Sequence, residues 1–297
     1  MNITFRQLNL LLALAKYKSI TAAASACHVT QPTVSMQLKS LSDQVGLPLY
    51  EVIGKQVFLT AAGELVVASA NTMQEELNYL KQSISAMKGH TEGTLRVALA
   101  STAQYFVPRM LGNFYRQHPE IEISFEVLNR DGVVSRLRGN ADDLYIMSMP
   151  PQDMDLERHA FLENPLVVVA PLTHRLAKKT CVTRGDLIKE QFVLREAGSG
   201  TRLACNAYFT EHQFTPKVRL ELGSNEAIKQ AVAVDLGLAI ISQHSLAKKP
   251  ASEGLAILHA EDFPIHSNWW IIYPKGKRLS PIAEVFLKHL RATCITL

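Results

Sequence analysis

Several common chemical signatures are missing from this chain of 297 residues. It has four cysteines, Cys27, Cys181, Cys205 and Cys294, and no C-x-x-C pair. That excludes a zinc finger, a thioredoxin-like motif and a disulfide framework. A redox-sensing pair of Cys181 and Cys205 stays open beside the simpler reading of buried or inert thiols. The ten histidines show neither H-x-x-x-H nor H-E-x-x-H spacing, so no metal site is expected. No apolar run approaches the roughly 20 residues of a membrane span. The N-terminus, with Arg6 among its apolar residues, lacks a leader pattern. Lys and Arg total 31 against 27 Asp and Glu, a formal net charge of +4. Any nucleic-acid role must therefore come from a local site rather than from bulk charge. The expectation is a reduced, cytoplasmic, soluble protein of about two domains, without cofactor or membrane partner.

What is present begins with short helices. Phe5, Leu8, Leu11, Leu12 and Ala15 recur at helical spacing and predict a first amphipathic helix. Ser19 and Thr21 precede the small-residue run Ala22 to Ala26, a second, tightly packed helix, and Val29 plugs the turn after it. Thr30 can cap a third helix with Pro32 in its first turn. On it Val34, Leu38, Leu41 and Val45 form one buried stripe, ended by Gly46. This is the arithmetic of a helix-turn-helix. The side chains near the start of the third helix are Gln31, Pro32, Thr33, Ser35, Met36 and Gln37, with Lys39 beyond. Such a helix end meets base edges in the major groove, where amides and hydroxyls pair with purines. A three-helix packing module with a polar outer face is the competing reading. Two apolar runs around Gly54-Lys55 then predict a hairpin, a wing that presses Lys55 against a phosphate. In residues 1–58, Arg6, Lys16, Lys18, Lys39 and Lys55 outnumber Asp43 and Glu51 by three.

Thr60 opens a long helix in which Val66, Ala70, Met73, Leu77, Leu80, Ile84 and Met87 repeat at alternating spacings of four and three. An a/d seam of this length predicts a coiled-coil partner rather than a helix laid on its own domain. Gly89 and Gly93 flank a polar linker. Beyond it, apolar strands alternate with helices: Leu95–Ala100, Ile121–Leu128, Leu144–Met147, Pro165–Ala170, Phe192–Leu194, Val218–Leu222 and Leu238–Ile241. Such alternation predicts parallel α/β sheets.

Ligands in such sheets bind at strand carboxyl ends, near helix N-termini. Ser101 and Thr102 follow the first strand. Arg195, Ser199, Gly200, Thr201 and Arg202 follow the Phe192 strand, and Ser224 and Asn225 the Val218 strand. Together they are rich in donors, with Arg195 and Arg202 as charge partners for a small anion, a carboxylate or a phosphate ester. The plainer alternative is a tight Gly-Ser loop with Arg202 in a surface ion pair. Enzyme readings fail: Ser199 lacks the G-x-S-x-G frame, and the loop lacks the ending of a P-loop.

Thr30-Gln31-Pro32-Thr33-Val34-Ser35, Leu49-Tyr50-Glu51 and Leu59-Thr60-Ala61-Ala62-Gly63 resemble the winged helix-turn-helix of LysR-type transcriptional regulators. The resemblance covers the whole chain and is strongest in residues 5–65. It implies a DNA-binding head (1–59), a dimerising linker helix (60–90) and a two-lobed, periplasmic-binding-protein-like effector domain (91–297). Lobe I would hold about 91–162 and 268–297, and lobe II about 163–267. It also implies an operator duplex, RNA polymerase, a small-molecule effector, and assembly as a dimer that pairs into a tetramer. Positions matching Gln31, Pro32, Ser35 and Met36 approach bases in the family. Here Met36 and Val52 replace frequent arginines, which removes a guanine reader. Residues 30–39, 46–51 and 53–55 look similar to regulators of Calvin-cycle carbon-fixation operons, which retain this methionine. That branch implies phosphorylated sugar metabolites or a reduced nicotinamide phosphate as effector. The alternative function is a small-molecule binding protein whose N-terminal helices only dimerise it.

Overall fold

The structure, a computed structural model, describes residues 2–54, 56–87 and 92–293. Lys55, the linker glycine Gly89 and Cys294 lie outside the described residues. The chain forms two compact units, one reaching to Ile84 and one holding the strands and helices from Gly93 onward.

The first unit is built on three helices, α1 (Phe5–Tyr17), α2 (Ile20–Ala26) and α3 (Gln31–Val45). Thr4 and Gln7 close a reciprocal capping box at the start of α1. Gln7 is also buried, and its amide reaches Ser40 of α3 at 3.4 Å. The buried stripe of α1 is Leu8, Leu10, Leu11 and Leu14, not the expected Phe5, Leu8, Leu11, Leu12 and Ala15, and Phe5 is 53% exposed. The run Leu8-Asn9-Leu10-Leu11-Leu12 is apolar on several sides. Packing against α2 and α3, rather than period, therefore selects the face. On α3, Val34, Leu38 and Leu41 are fully buried, each contributing roughly 1.5–3 kcal/mol over an exposed position. Gly46 ends α3 at φ 81°, a left-handed conformation that glycine adopts without Cβ strain. Strands β1 (Tyr50–Ile53) and β2 (Gln56–Leu59) pair antiparallel as the wing.

Helix α4 (Ala61–Met87) follows directly. Thr60 caps it through the Gly63 N–H at 3.0 Å, while its hydroxyl donates to the Pro48 carbonyl at 2.6 Å. Gly63 is required there: a Cβ would stand 1.9 Å from the Leu49 carbonyl oxygen. The wing and the helix are thus welded at a backbone-to-backbone approach.

In the second unit the chain lays down β3 (Gly93–Ala100), α5 (Val107–Gln117), β4 (Ile121–Leu128), α6 (Arg130–Arg138), β5 (Leu144–Met147) and β6 (Leu156–Glu163). It continues into β7 (Leu166–Pro171), α7 (Arg184–Leu187), β8 (Gln191–Arg195), α8 (Gly200–Glu211), β9 (Lys217–Leu222), α9 (Asn225–Ala233), β10 (Ala239–Ser242) and β11 (Leu255–Ile257). It ends with β12 (Asn268–Pro274) and α10 (Pro281–Thr293). One lobe is a five-stranded sheet in the order β4-β3-β5-β12-β6. The other joins β9-β8 to β10-β7-β11 through the Phe192–Leu238 bridge. Both sheets are mixed rather than parallel. The strands entering after a crossing, β7 and β12, run antiparallel to their neighbours. A strand arriving from the other lobe needs no right-handed helical crossover and takes the opposite direction.

Candidate functional site

In the first unit α3 presents its start to solvent. Thr30, Gln31, Pro32, Met36 and Lys39 are exposed, and Thr33, Ser35 and Gln37 are half-buried beside them. Thr30 occupies the cap position without capping: its hydroxyl bonds that of Thr33 at 2.8 Å. This leaves the first N–H groups of α3 unsatisfied by side chains at the positive end of the helix dipole, suited to a phosphate. The wing lysine, Lys55, lies outside the described residues.

The seam positions of α4 divide. Val66 packs on the head core and Ala70 is buried, whereas Met73, Leu80, Ile84 and Met87 are all exposed and Leu77 is half-buried. Four large apolar side chains are thus exposed on one stripe of α4.

In the second unit the strand ends of the two lobes meet. Arg195, at the end of β8, is 2% exposed. It donates to Asn225 Oδ1 at 2.8 Å, to both Glu196 oxygens at 2.8 and 3.0 Å, and to Ser101 Oγ at 3.3 Å. Asn225 is also buried and donates to Thr102 Oγ1 at 2.9 Å. The structure brings the candidates Ser101, Thr102, Arg195 and Asn225 together across the lobes. The sequence reading missed Glu196, although the Arg-Glu adjacency was visible: a guanidinium this deeply buried needs a counter-charge. The expected donor-rich cleft thus also holds a carboxylate acceptor, Glu196.

Ser199 caps α8 through the Arg202 N–H at 3.0 Å. Gly200 faces the other lobe, where a Cβ would stand 3.0 Å from Ser148 Oγ, and Thr201 is buried behind it. Ser148, which no spacing argument flagged, therefore belongs with the site. Arg202 does not: its guanidinium turns to Glu221 at 2.7 Å, Asn206 at 3.1 Å and the Arg195 carbonyl at 2.8 Å. The surface ion pair wins because Arg202 points back over the β8–β9 edge once Ser199 fixes the first turn of α8.

More bridges complete the seam between lobes. The Asp131 N–H donates to the Gly198 carbonyl at 3.2 Å, and the Tyr105 hydroxyl to Glu226 at 2.7 Å. Burial, reinforced by Glu226, pushes the Tyr105 hydroxyl far above its ordinary range, so it stays a donor. Lys229 bonds Glu226 at 2.9 Å and Glu253 at 2.7 Å. The two crossings are clamped by Asn164 and Ser267, whose backbone and side chains exchange hydrogen bonds of 2.8–3.0 Å. Cys205 is buried and its thiol pushed up to about 12 by desolvation, while Cys181 is exposed. Among the described residues no group of three His, Cys, Asp or Glu is placed to hold a metal, and no helix is long and apolar enough to cross a membrane.

Comparison with known proteins matches two family models. Residues 5–64 fit the bacterial regulatory helix-turn-helix protein, lysR family, and residues 88–295 the LysR substrate binding domain. The chain is 43% identical to the HTH-type transcriptional activator CmpR of Synechocystis, over 98% of this chain and 96% of that one. It is 42% identical to the RuBisCO operon transcriptional regulator of Acidithiobacillus ferrooxidans, over 97% and 94%. The Synechocystis CcmR regulatory domain, solved in complex with 2-PG, is 46% identical with a TM-score of 0.67, covering 69% of this chain and 99% of that one. Full-length CbnR complexed with target DNA shares the fold at 22% identity, with a TM-score of 0.69 over 98% and 100%. The chain belongs to the LysR family of transcriptional regulators, a DNA-binding winged helix-turn-helix joined to a two-lobed effector domain.

Proposed function

We propose that this regulator activates carbon-fixation genes when a small phosphorylated acid of the 2-phosphoglycolate class binds between the two lobes. The observation that carries the reading is the lobe-spanning cluster of Ser101, Thr102, Arg195 and Asn225 at facing strand ends. The CcmR domain solved with 2-PG is similar over 69% of this chain, and the RuBisCO operon regulator of Acidithiobacillus ferrooxidans over 97%. The first turn of α8, at Gly200 and Thr201, with the hydroxyls of Ser101, Thr102 and Ser148, suits the anion. Arg195 contributes by exchanging Glu196 for the ligand. An effector shifts the lobe arrangement only by binding the two arrangements unequally.

In the head, Gln31 and Ser35 read bases while Thr30, Pro32, Thr33, Met36, Gln37 and Lys39 line the groove, and Lys55 contacts phosphate. Val66, Ala70, Met73, Leu77, Leu80, Ile84 and Met87 form the pairing stripe of a dimer that assembles into a tetramer. RNA polymerase is the expected downstream partner and the cytoplasm the expected site of action. The domain limits of 1–59, 60–90 and 91–297, with lobe crossings near 162 and 268, remain our working division. Isothermal titration of 2-phosphoglycolate against wild type and Ser101→Ala/Thr102→Val is the test. Binding to wild type should weaken by roughly tenfold or more in the variant, for the loss of two ligand hydrogen bonds. Equal affinity would remove the site from this cleft.

A further inference from the structure

A cavity of about 520 Å³ opens beside the lobe crossing. Its walls come from three places: Tyr105, Phe106 and Arg109 of one lobe, Glu163 at the crossing, and Gln243, His244 and Lys248 of the other. The walls are ordered by contacts of their own. The His244 Nε2 donates to the Glu163 carbonyl at 2.7 Å, and its ring lies 5.2 Å from that of Phe106. The cations, by contrast, are unused. Arg109 and Lys248 line this cavity, and among the described residues neither side chain has a hydrogen bond or an ion pair. The contrast with Arg195 decides the matter: that guanidinium is already neutralised by both oxygens of Glu196.

We infer that this cavity is a second effector site, separate from the strand-end cleft, for a hydroxylated phosphate ester. Arg109 and Lys248 supply two unneutralised charges for the phosphate. The Glu163 carboxylate and the Gln243 amide accept and donate to hydroxyls, and Phe106 and Tyr105 form an apolar wall for the carbon chain. A bare carboxylic acid without hydroxyls leaves Glu163 facing an anion and is disfavoured. Occupancy reaches the first site through Tyr105, which lines the cavity and whose hydroxyl holds Glu226 across the lobes. Two metabolites could then be read by one domain through a shared lobe arrangement.

The test uses the full-length protein and glycerol 3-phosphate as probe, followed by the fluorescence of Trp269, whose buried ring lies 5.1 Å from Phe106. Saturable binding is expected both alone and with 2-phosphoglycolate at saturation. Arg109→Gln with Lys248→Gln, both at exposed positions, should weaken the probe by roughly tenfold or more and leave 2-phosphoglycolate within about twofold. Glu163→Gln should narrow the preference for glycerol 3-phosphate over inorganic phosphate. The inference is overturned by competition between the two ligands, by unchanged affinity in the double variant, or by no saturation up to about 10 mM. If 2-phosphoglycolate fails to bind, the first-site reading falls, while the double variant still decides the second.

Discussion

The two lobes of the effector domain are built to one plan and armed differently. Their strands run β4-β3-β5-β12-β6 and β9-β8-β10-β7-β11, so each strand of one sheet has a counterpart in the other. Their strand ends meet crosswise: Ser101 and Thr102 after β3 meet Arg195 and Asn225, and Asp131 after β4 meets Gly198 after β8. One lobe brings hydroxyls and amides to the seam, in Ser101, Thr102, Ser148 and Asn129, with the Arg130–Asp131 ion pair beside them. The other brings charge, in Arg195, Glu196, Glu226 and Lys229. A charged network tolerates burial only where its partners are fixed, and the charged lobe fixes them within itself. The first lobe contributes single hydrogen bonds across the seam, from Ser101, Thr102, Tyr105 and Asp131. This division suits a hinge: each lobe stays intact while the seam opens and closes.

The comparison is broken most severely through the cores. Phe286 is fully buried and meets Phe114 edge-on at 5.1 Å in one lobe, and Phe192 is fully buried 5.8 Å from Phe214 in the other. Phe286→Ala and Phe192→Ala should each cost about 3–5 kcal/mol, read from urea unfolding. A cost in one lobe far below the other would show that the shared strand order conceals unequal packing.

A smaller effect sharpens the functional difference. Asn225→Ala strips a partner from buried Arg195 and from Thr102 together, an expected loss of about 1–3 kcal/mol. Asn129 at the facing strand end caps α6 through the Gly132 N–H at 2.9 Å. Its replacement by Ala should cost about 1 kcal/mol. Thermal unfolding gives both values. Effector binding should suffer in the Asn225 variant and survive in the Asn129 variant; equal damage would mean that the seam is not asymmetric.

How much of this was legible in the sequence depended on range. The helix-turn-helix, the hairpin and the strands β3, β4, β5, β7, β8, β9 and β10 follow local signals: caps, glycines and short apolar runs. Strand β6, Leu-Glu-Arg-His-Ala-Phe-Leu-Glu, mixes charge with apolar residues because it is a sheet edge, and it gave no run to recognise. The antiparallel entry of β12 is a pairing over more than a hundred residues, which no window contains. Arg195 and Arg202 look equivalent seven residues apart. Only the end of β8 and the start of α8 send one into the seam and the other to Glu221.

The finest test concerns one hydroxyl. Tyr105→Phe keeps the ring against Lys229, 5.6 Å away, and removes only the 2.7 Å bond to Glu226 across the lobes. Glu226 keeps Lys229 as partner, so no charge is stranded and folding should hardly change. The closed arrangement loses about 1 kcal/mol, the middle of the range for a partly exposed hydrogen bond. An effector that selects this arrangement must then supply the difference, so 2-phosphoglycolate affinity should fall by roughly fivefold. Operator binding without effector, measured by fluorescence anisotropy, should stay the same if the unliganded lobes are already apart. A rise in effector affinity instead would mean that the Tyr105 bond guards the closed cleft and has to break before a ligand enters. The lobe that carries Tyr105 would then act as the latch rather than as the passive jaw.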